Sequence, residues 1–126
     1  MKIRKIGLAL LASTMLFNGY SLAQAQTLPK VSDGILVSAT GMTLYTFDKD
    51  AAGSGQSNCN GPCAGNWPPL IAPVQLPTGK YSVVTREDGS KQLAYAGKPL
   101  YLYAADKQVG DRKGDNFKDV WHIVKE

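Results

Sequence analysis

Side chains for catalysis and metal binding are scarce in this sequence. Its 126 residues contain one histidine, His122, and two cysteines, Cys59 and Cys63. General bases and nucleophiles come largely from these residue types. There is no G-x-S-x-G, no H-E-x-x-H and no glycine-rich phosphate loop opening a helix. The chain therefore reads as a protein that is not an enzyme and carries no cofactor. Two thiolates do not close a four-ligand structural zinc site. Three residues separate the cysteines and no histidine follows the second, which fits neither a thioredoxin-like pair nor a c-type haem attachment. Copper selects methionine, histidine and cysteine ligands, so Met42 and His122 are the residual metal candidates, although their spacing does not bring them together. A periplasmic copper-type metal or redox protein is the alternative to the non-catalytic reading.

Excess charge is also missing once the N-terminus is set apart. Lys2, Arg4 and Lys5 precede an uncharged apolar run from Ile6 to Phe17, which leads to Ala23-Gln24-Ala25. A basic start, a short apolar stretch and a small-x-small step form a secretory signal peptide, expected to occupy residues 1–25. The apolar run is shorter than the roughly 20 residues of a membrane-spanning helix. Without residues 1–25, eleven basic residues face ten acidic ones. That near balance gives no basic stripe for nucleic acid. The remaining residues 26–126 suit one domain with a modest core, expected to be periplasmic or secreted, monomeric, without a membrane span, and to meet an envelope protein or a small ligand.

In an oxidising compartment an even cysteine count reads first as a disulfide. Gly61-Pro62 supplies the turn that brings Cys59 and Cys63 within bridging range. Neither cysteine lies at the cleavage step, so no acceptor for an N-terminal lipid is expected. Ala51 to Asn66 and Lys107 to Asp119 are long polar stretches of the kind that are functional or tied down. Around the second, Asp106 to Asn116 gathers carboxylates and glycines, but lacks the spacing and terminal Glu of an EF-hand and contains Lys107, Arg112 and Lys113. It reads as a solvated turn.

What remains alternates short β-branched or aromatic runs with Gly, Pro, Asp and Asn, the pattern of an all-β domain. Strands are expected at residues 35–39, 43–47, 81–85, 92–95, 100–103 and 120–124. Asp88-Gly89 marks a tight hairpin. The sequence also repeats itself: Gly41-Met42-Thr43-Leu44-Tyr45-Thr46-Phe47-Asp48-Lys49-Asp50 and Gly97-Lys98-Pro99-Leu100-Tyr101-Leu102-Tyr103-Ala104-Ala105-Asp106 both read G-x-x-L-Y-x-[FY]-x-x-D. Each copy is followed, after a glycine-bearing loop, by a tryptophan, Trp67 or Trp121. Two repeats are expected, at about residues 33–70 and 80–126. Alternate side chains of a strand share a face, so Tyr45 and Phe47 should match Tyr101 and Tyr103 as equivalent core aromatics, with Leu44 and Thr46 on the other face. Asp50 and Asp106 should accept backbone N–H groups in the following turns.

Tyr45-Thr46-Phe47-Asp48-Lys49-Asp50 and Tyr101-Leu102-Tyr103-Ala104-Ala105-Asp106 resemble the bacterial secreted and lipoprotein repeats described by a Tyr-x-(Phe/Trp/Tyr)-x-x-Asp motif. The resemblance extends to Cys59, Cys63, Trp67-Pro68-Pro69-Leu70, Asp88-Gly89, Gly110-Asp111, Gly114-Asp115 and Trp121. It implies a secreted protein of unknown role and adds no chemistry. The expected architecture is a compact antiparallel sandwich or small barrel of two β-units related by a pseudo-twofold, each burying its aromatic face against the other.

Overall fold

The computed structural model describes residues 28–75 and 77–126. The expected signal peptide, residues 1–25, lies outside them. Two-residue turns organise the hairpins. In the first, β1 (Lys30–Ser32) pairs with β2 (Ile35–Val37) through Asp33 and Gly34, both at positive φ (53° and 78°), the backbone that tight hairpins require. This Asp-Gly step is the same signal as Asp88-Gly89, and β1 is a strand the sequence pattern did not mark because its residues are all exposed. The second copy forms β4 (Tyr81–Thr85), β5 (Lys91–Tyr95) and β6 (Lys98–Pro99) as one antiparallel sheet, with Ala96-Gly97 turning β5 into β6 at φ 51° and 83°.

The central strand β3 (Tyr45–Phe47) pairs antiparallel with β7 (Trp121–Ile123), Phe47 opposite Trp121 and Tyr45 opposite Ile123. On its other side Tyr45 meets Tyr101 in a reciprocal pair, each N–H donating to the other's carbonyl at 2.9 Å. Residues 100–103, expected as one strand, spread their bonds instead. The N–H of Leu100 donates to Leu93, that of Tyr101 to Tyr45 and that of Leu102 to Pro68. The backbone there changes partner at every residue, so no continuous two-strand ladder forms.

The Tyr45–Tyr101 pair relates the two halves. Tyr45 bridges Ile123 and Tyr101 bridges Pro69, in each case the second residue after a tryptophan. Likewise Val37 bridges Thr43 and Ala94 pairs with Pro99, while Ile35 bridges Lys125 and Gln92 bridges Ile71. The fold is all-β and antiparallel, a sandwich of short sheets, with, among the described residues, one short helix, α1 (Pro62–Asn66), and one 3-10 turn at Phe117–Asp119. Pro62 suits the first turn of α1, where its missing N–H costs nothing.

Two cores lie on opposite faces of the central strands. Leu36, Leu44, Leu93 and Leu100 form an aliphatic cluster; Tyr45, Phe47, Cys59, Trp67, Tyr101 and Trp121 form an aromatic one. The period-2 alternation of Leu44-Tyr45 and Leu100-Tyr101 thus feeds one residue of each half into each core. Phe47 is buried, whereas Tyr103, its counterpart, packs at the edge of the cluster and is half-buried. Truncation should expose that inequality. Phe47→Ala should cost about 3–5 kcal/mol and lower the thermal midpoint by well over 10 °C at about 4–8 °C per kcal/mol. Tyr103→Ala should lower it less, as read by calorimetry on both variants.

Candidate functional site

The repeated aromatic and acidic residues meet at the boundary between the halves. Tyr45 donates its hydroxyl proton to Asp106 Oδ2 at 2.6 Å, and Tyr101 donates to Asp50 Oδ2 at 2.5 Å. The tyrosine of each motif is therefore bonded to the aspartate of the other copy. The remaining carboxylate oxygens hold the loops: Asp50 Oδ1 accepts the N–H of Asn58 at 2.7 Å, and Asp106 Oδ1 accepts that of Lys113 at 3.0 Å. Both tyrosines are fully buried, and both aspartates nearly so.

Between these crossed bonds the rings form a column. Phe47 stacks on Trp121 (4.2 Å, 11°), Trp121 on Trp67 (3.8 Å, 3°), and Trp67 on Tyr103 (4.0 Å, 16°). Tyr45 meets Trp67 edge-on at 5.4 Å, and Tyr101 meets Trp121 edge-on at 5.1 Å. Trp67 lies so close to Gly114 that a Cβ there would come within 2.6 Å of the indole. That contact, with the N–H of Gly114 donating to the Tyr45 hydroxyl at 3.2 Å, explains a glycine at this position.

Cys59 and Cys63 are disulfide-bonded, with Cα atoms 5.2 Å apart, and Cys59 is part of the aromatic core. The loop they pin is also strapped by Arg86. Arg86 as a residue is only 6% exposed. It donates to Ser57 Oγ (2.9 Å), Gln92 Oε1 (2.8 Å), the carbonyl of Cys59 (2.6 Å) and Asn60 Oδ1 (3.3 Å). Ser57 Oγ lies 2.6 Å from the Tyr101 hydroxyl, so Asp50, Tyr101, Ser57, Arg86 and Gln92 form one buried polar chain. Sequence reading placed Arg86 in a hairpin turn, and nothing in its neighbours in the chain signals burial. Burial raises the Asp50 carboxyl above its usual range, opposed by the bonds from Tyr101 and the Asn58 N–H and by the charge of Arg86.

In the second loop Asp111 accepts the N–H groups of Lys107 and Gln108, which holds its carboxyl below the usual range, the Lys107 bond acting most. Asp115 accepts the N–H of Ile123. Its carboxylates are thus engaged as turn acceptors, and among the described residues no group of three or more His, Cys, Asp or Glu is placed to hold a metal. His122 sits at the surface between Asp48 Oδ2 (2.9 Å) and Asn116 Oδ1 (3.1 Å). Met42 lines a separate apolar depression with Leu70, Ile71 and Leu102, away from the groove that contains His122.

One surface depression reaches the column. About 340 Å³ in volume, it is lined by Cys63, Asn66, Trp67, Tyr103, Phe117, Lys118 and Trp121, and lies within the roughly 300–1,000 Å³ of small-molecule sites. Phe117 is exposed at its rim, 5.7 Å from both Trp67 and Tyr103, with the Lys118 ammonium 5.6 Å above its ring. Asn116, Lys118 and Asp119 all adopt positive φ (62°, 51° and 62°), a backbone that non-glycine residues enter at a cost of order 1–3 kcal/mol each. Sequence reading did not single out Phe117, because a lone aromatic in a polar segment carries no period.

A duplicated β-unit whose copies exchange hydroxyl, carboxylate and ring partners defines a two-repeat protein rather than a single module with a separate tail. The chain belongs to a family described as a secreted repeat of unknown function, whose profile matches residues 28–71 and 82–125. No curated protein and no solved structure matches the chain. Among the described residues no helix is long and apolar enough to cross a membrane.

Burial, reinforced by the bonds to Asp106 and Asp50, pushes the Tyr45 and Tyr101 phenols far above their ordinary 10.0. An unfolded chain releases those protons near pH 10 while the folded one keeps them, so stability is complete below that pH and falls above it. Unfolding free energies from urea titrations should therefore hold to about pH 9 and then drop, by about 1.4 kcal/mol per pH unit for each retained proton. The slope should become shallower in Tyr45→Phe.

Proposed function

We propose that the chain is exported with removal of residues 1–25, works in the periplasm, and acts there as a non-catalytic binding module for an envelope protein or a small ligand. The contact surface in this reading is the depression beside Phe117. The observation that carries it is the strained Asn116–Asp119 segment, which holds an aromatic ring at the surface. Strain of this kind persists where a site demands it, and aromatic anchors dominate binding energy. A non-catalytic role is supported by the bonded cysteines and by the engagement of the one histidine with Asp48 and Asn116.

Export is checked by the intact mass of protein recovered from the periplasm, expected to correspond to Gln26–Glu126 without lipid; a mass that includes residues 1–25 overturns that part. The contact surface is checked by fluorescence, because both tryptophans of the chain line the depression. Periplasmic fractions retained by the immobilised protein should shift its tryptophan emission. Phe117→Ala should weaken retention by about 2 kcal/mol, some thirtyfold, at an unchanged thermal midpoint. Retention unaffected by that substitution would refute the assignment.

A further inference from the structure

The aromatic column combines three features that together suit one-electron chemistry. Its two central rings, Trp67 and Trp121, are parallel within 3° with centroids 3.8 Å apart, close enough for their π-systems to overlap. Two indoles held this way share the positive charge left when one electron is removed. Each indole is also met edge-on by a buried tyrosine. Finally, each of those tyrosines donates to a buried carboxylate at 2.6 or 2.5 Å. A phenol gives up its proton as it gives up an electron, and a carboxylate already hydrogen-bonded to it is the acceptor that reaction needs.

We propose that the core is an electron-transfer relay, in which the Trp67–Trp121 pair takes up an oxidising equivalent from a diffusible one-electron oxidant and passes it to Tyr45 or Tyr101. In the first step the oxidant gains one electron and the indole pair becomes a shared cation radical. In the second, an electron moves from Tyr45 to the pair while the phenolic proton crosses to Oδ2 of Asp106. The indoles return to their neutral state, and a neutral tyrosyl radical and a protonated carboxyl group remain. The Tyr101–Asp50 pair performs the same step from the other indole.

The surroundings favour this route. Tyr103, half-buried at the end of the column, lines the open depression, so an oxidant need only reach that ring. Phe47 closes the other end with a phenyl group that resists oxidation. Cys59 and Cys63 are bonded to each other and the described residues contain no free thiol, so no thiol competes for the oxidising equivalent. The acceptor tyrosines are 0% exposed, which shields the radical from solvent. The oxidant would enter by the same depression that the binding reading uses, but the transfer from ring to ring needs no bound partner.

Pulse radiolysis of the mature protein with azidyl radicals, which oxidise indoles selectively, tests the relay. The indolyl signal should decay as the phenoxyl signal rises, at a rate independent of protein concentration and slower in D2O. Tyr45→Phe combined with Tyr101→Phe keeps the rings and should slow indolyl decay at least about tenfold. Tyr81→Phe, beside the aliphatic cluster and outside the column, should leave the rate unchanged. The D2O comparison needs only the wild-type protein, so the test survives poor folding of the double variant. An indolyl signal that decays at the same rate in H2O and D2O, or a phenoxyl signal that persists in the double variant and so arises at Tyr81, Tyr95 or Tyr103, overturns the proposal.

Discussion

The reciprocal backbone pair between Tyr45 and Tyr101 is the constraint on which the rest of the molecule depends. Its two hydrogen bonds are equal in length, and a local twofold relates the strands on either side. Once that pair forms, the tyrosine of each copy must lie beside the opposite copy's aspartate and the phenylalanine or tyrosine two residues later beside the opposite tryptophan. The crossed hydroxyl bonds and the ring column are consequences of one strand register. A slip of one residue would turn Tyr45 toward the aliphatic core and Leu44 toward the carboxylates.

The halves share this centre but secure their loops differently. In the first, a disulfide and a buried guanidinium fasten residues 57–63. A bridge across so few residues removes little chain entropy, so its effect is to shape the loop around Cys59. In the second, carboxylates do the fastening: Asp111 closes the start of the loop and Asp115 ties its end to β7. An Arg buried among neutral acceptors is costly to isolate. Its four donor contacts and the nearby Asp50 carboxylate offset that cost.

Much of this was legible in the chain because it is periodic or repeated. The alternation of Leu44-Tyr45 and Leu100-Tyr101 specified which residues face which core, and Asp88-Gly89 specified a hairpin. The repeat pointed to two β-units. The exposed strand β1 escaped notice, because an edge strand with no buried side chain has no apolar signature. The crossing of Tyr45 to Asp106 was also invisible. Four residues separate tyrosine from aspartate within each motif, and the turn-acceptor reading of the aspartates accounts for only one of their two oxygens. Arg86 and Phe117 depend on tertiary contacts from residues 26–29 and 14–50 positions away, beyond the reach of any local pattern.

The crossed hydroxyl bonds also bear on how such a protein can diverge. Tyrosine and aspartate of one motif copy look like a local unit, yet a change at Tyr45 is felt at Asp106, and a change at Tyr101 at Asp50. Correlated substitution should therefore run between the copies and not within them. The two copies thus constrain each other: each supplies the partner its sibling requires.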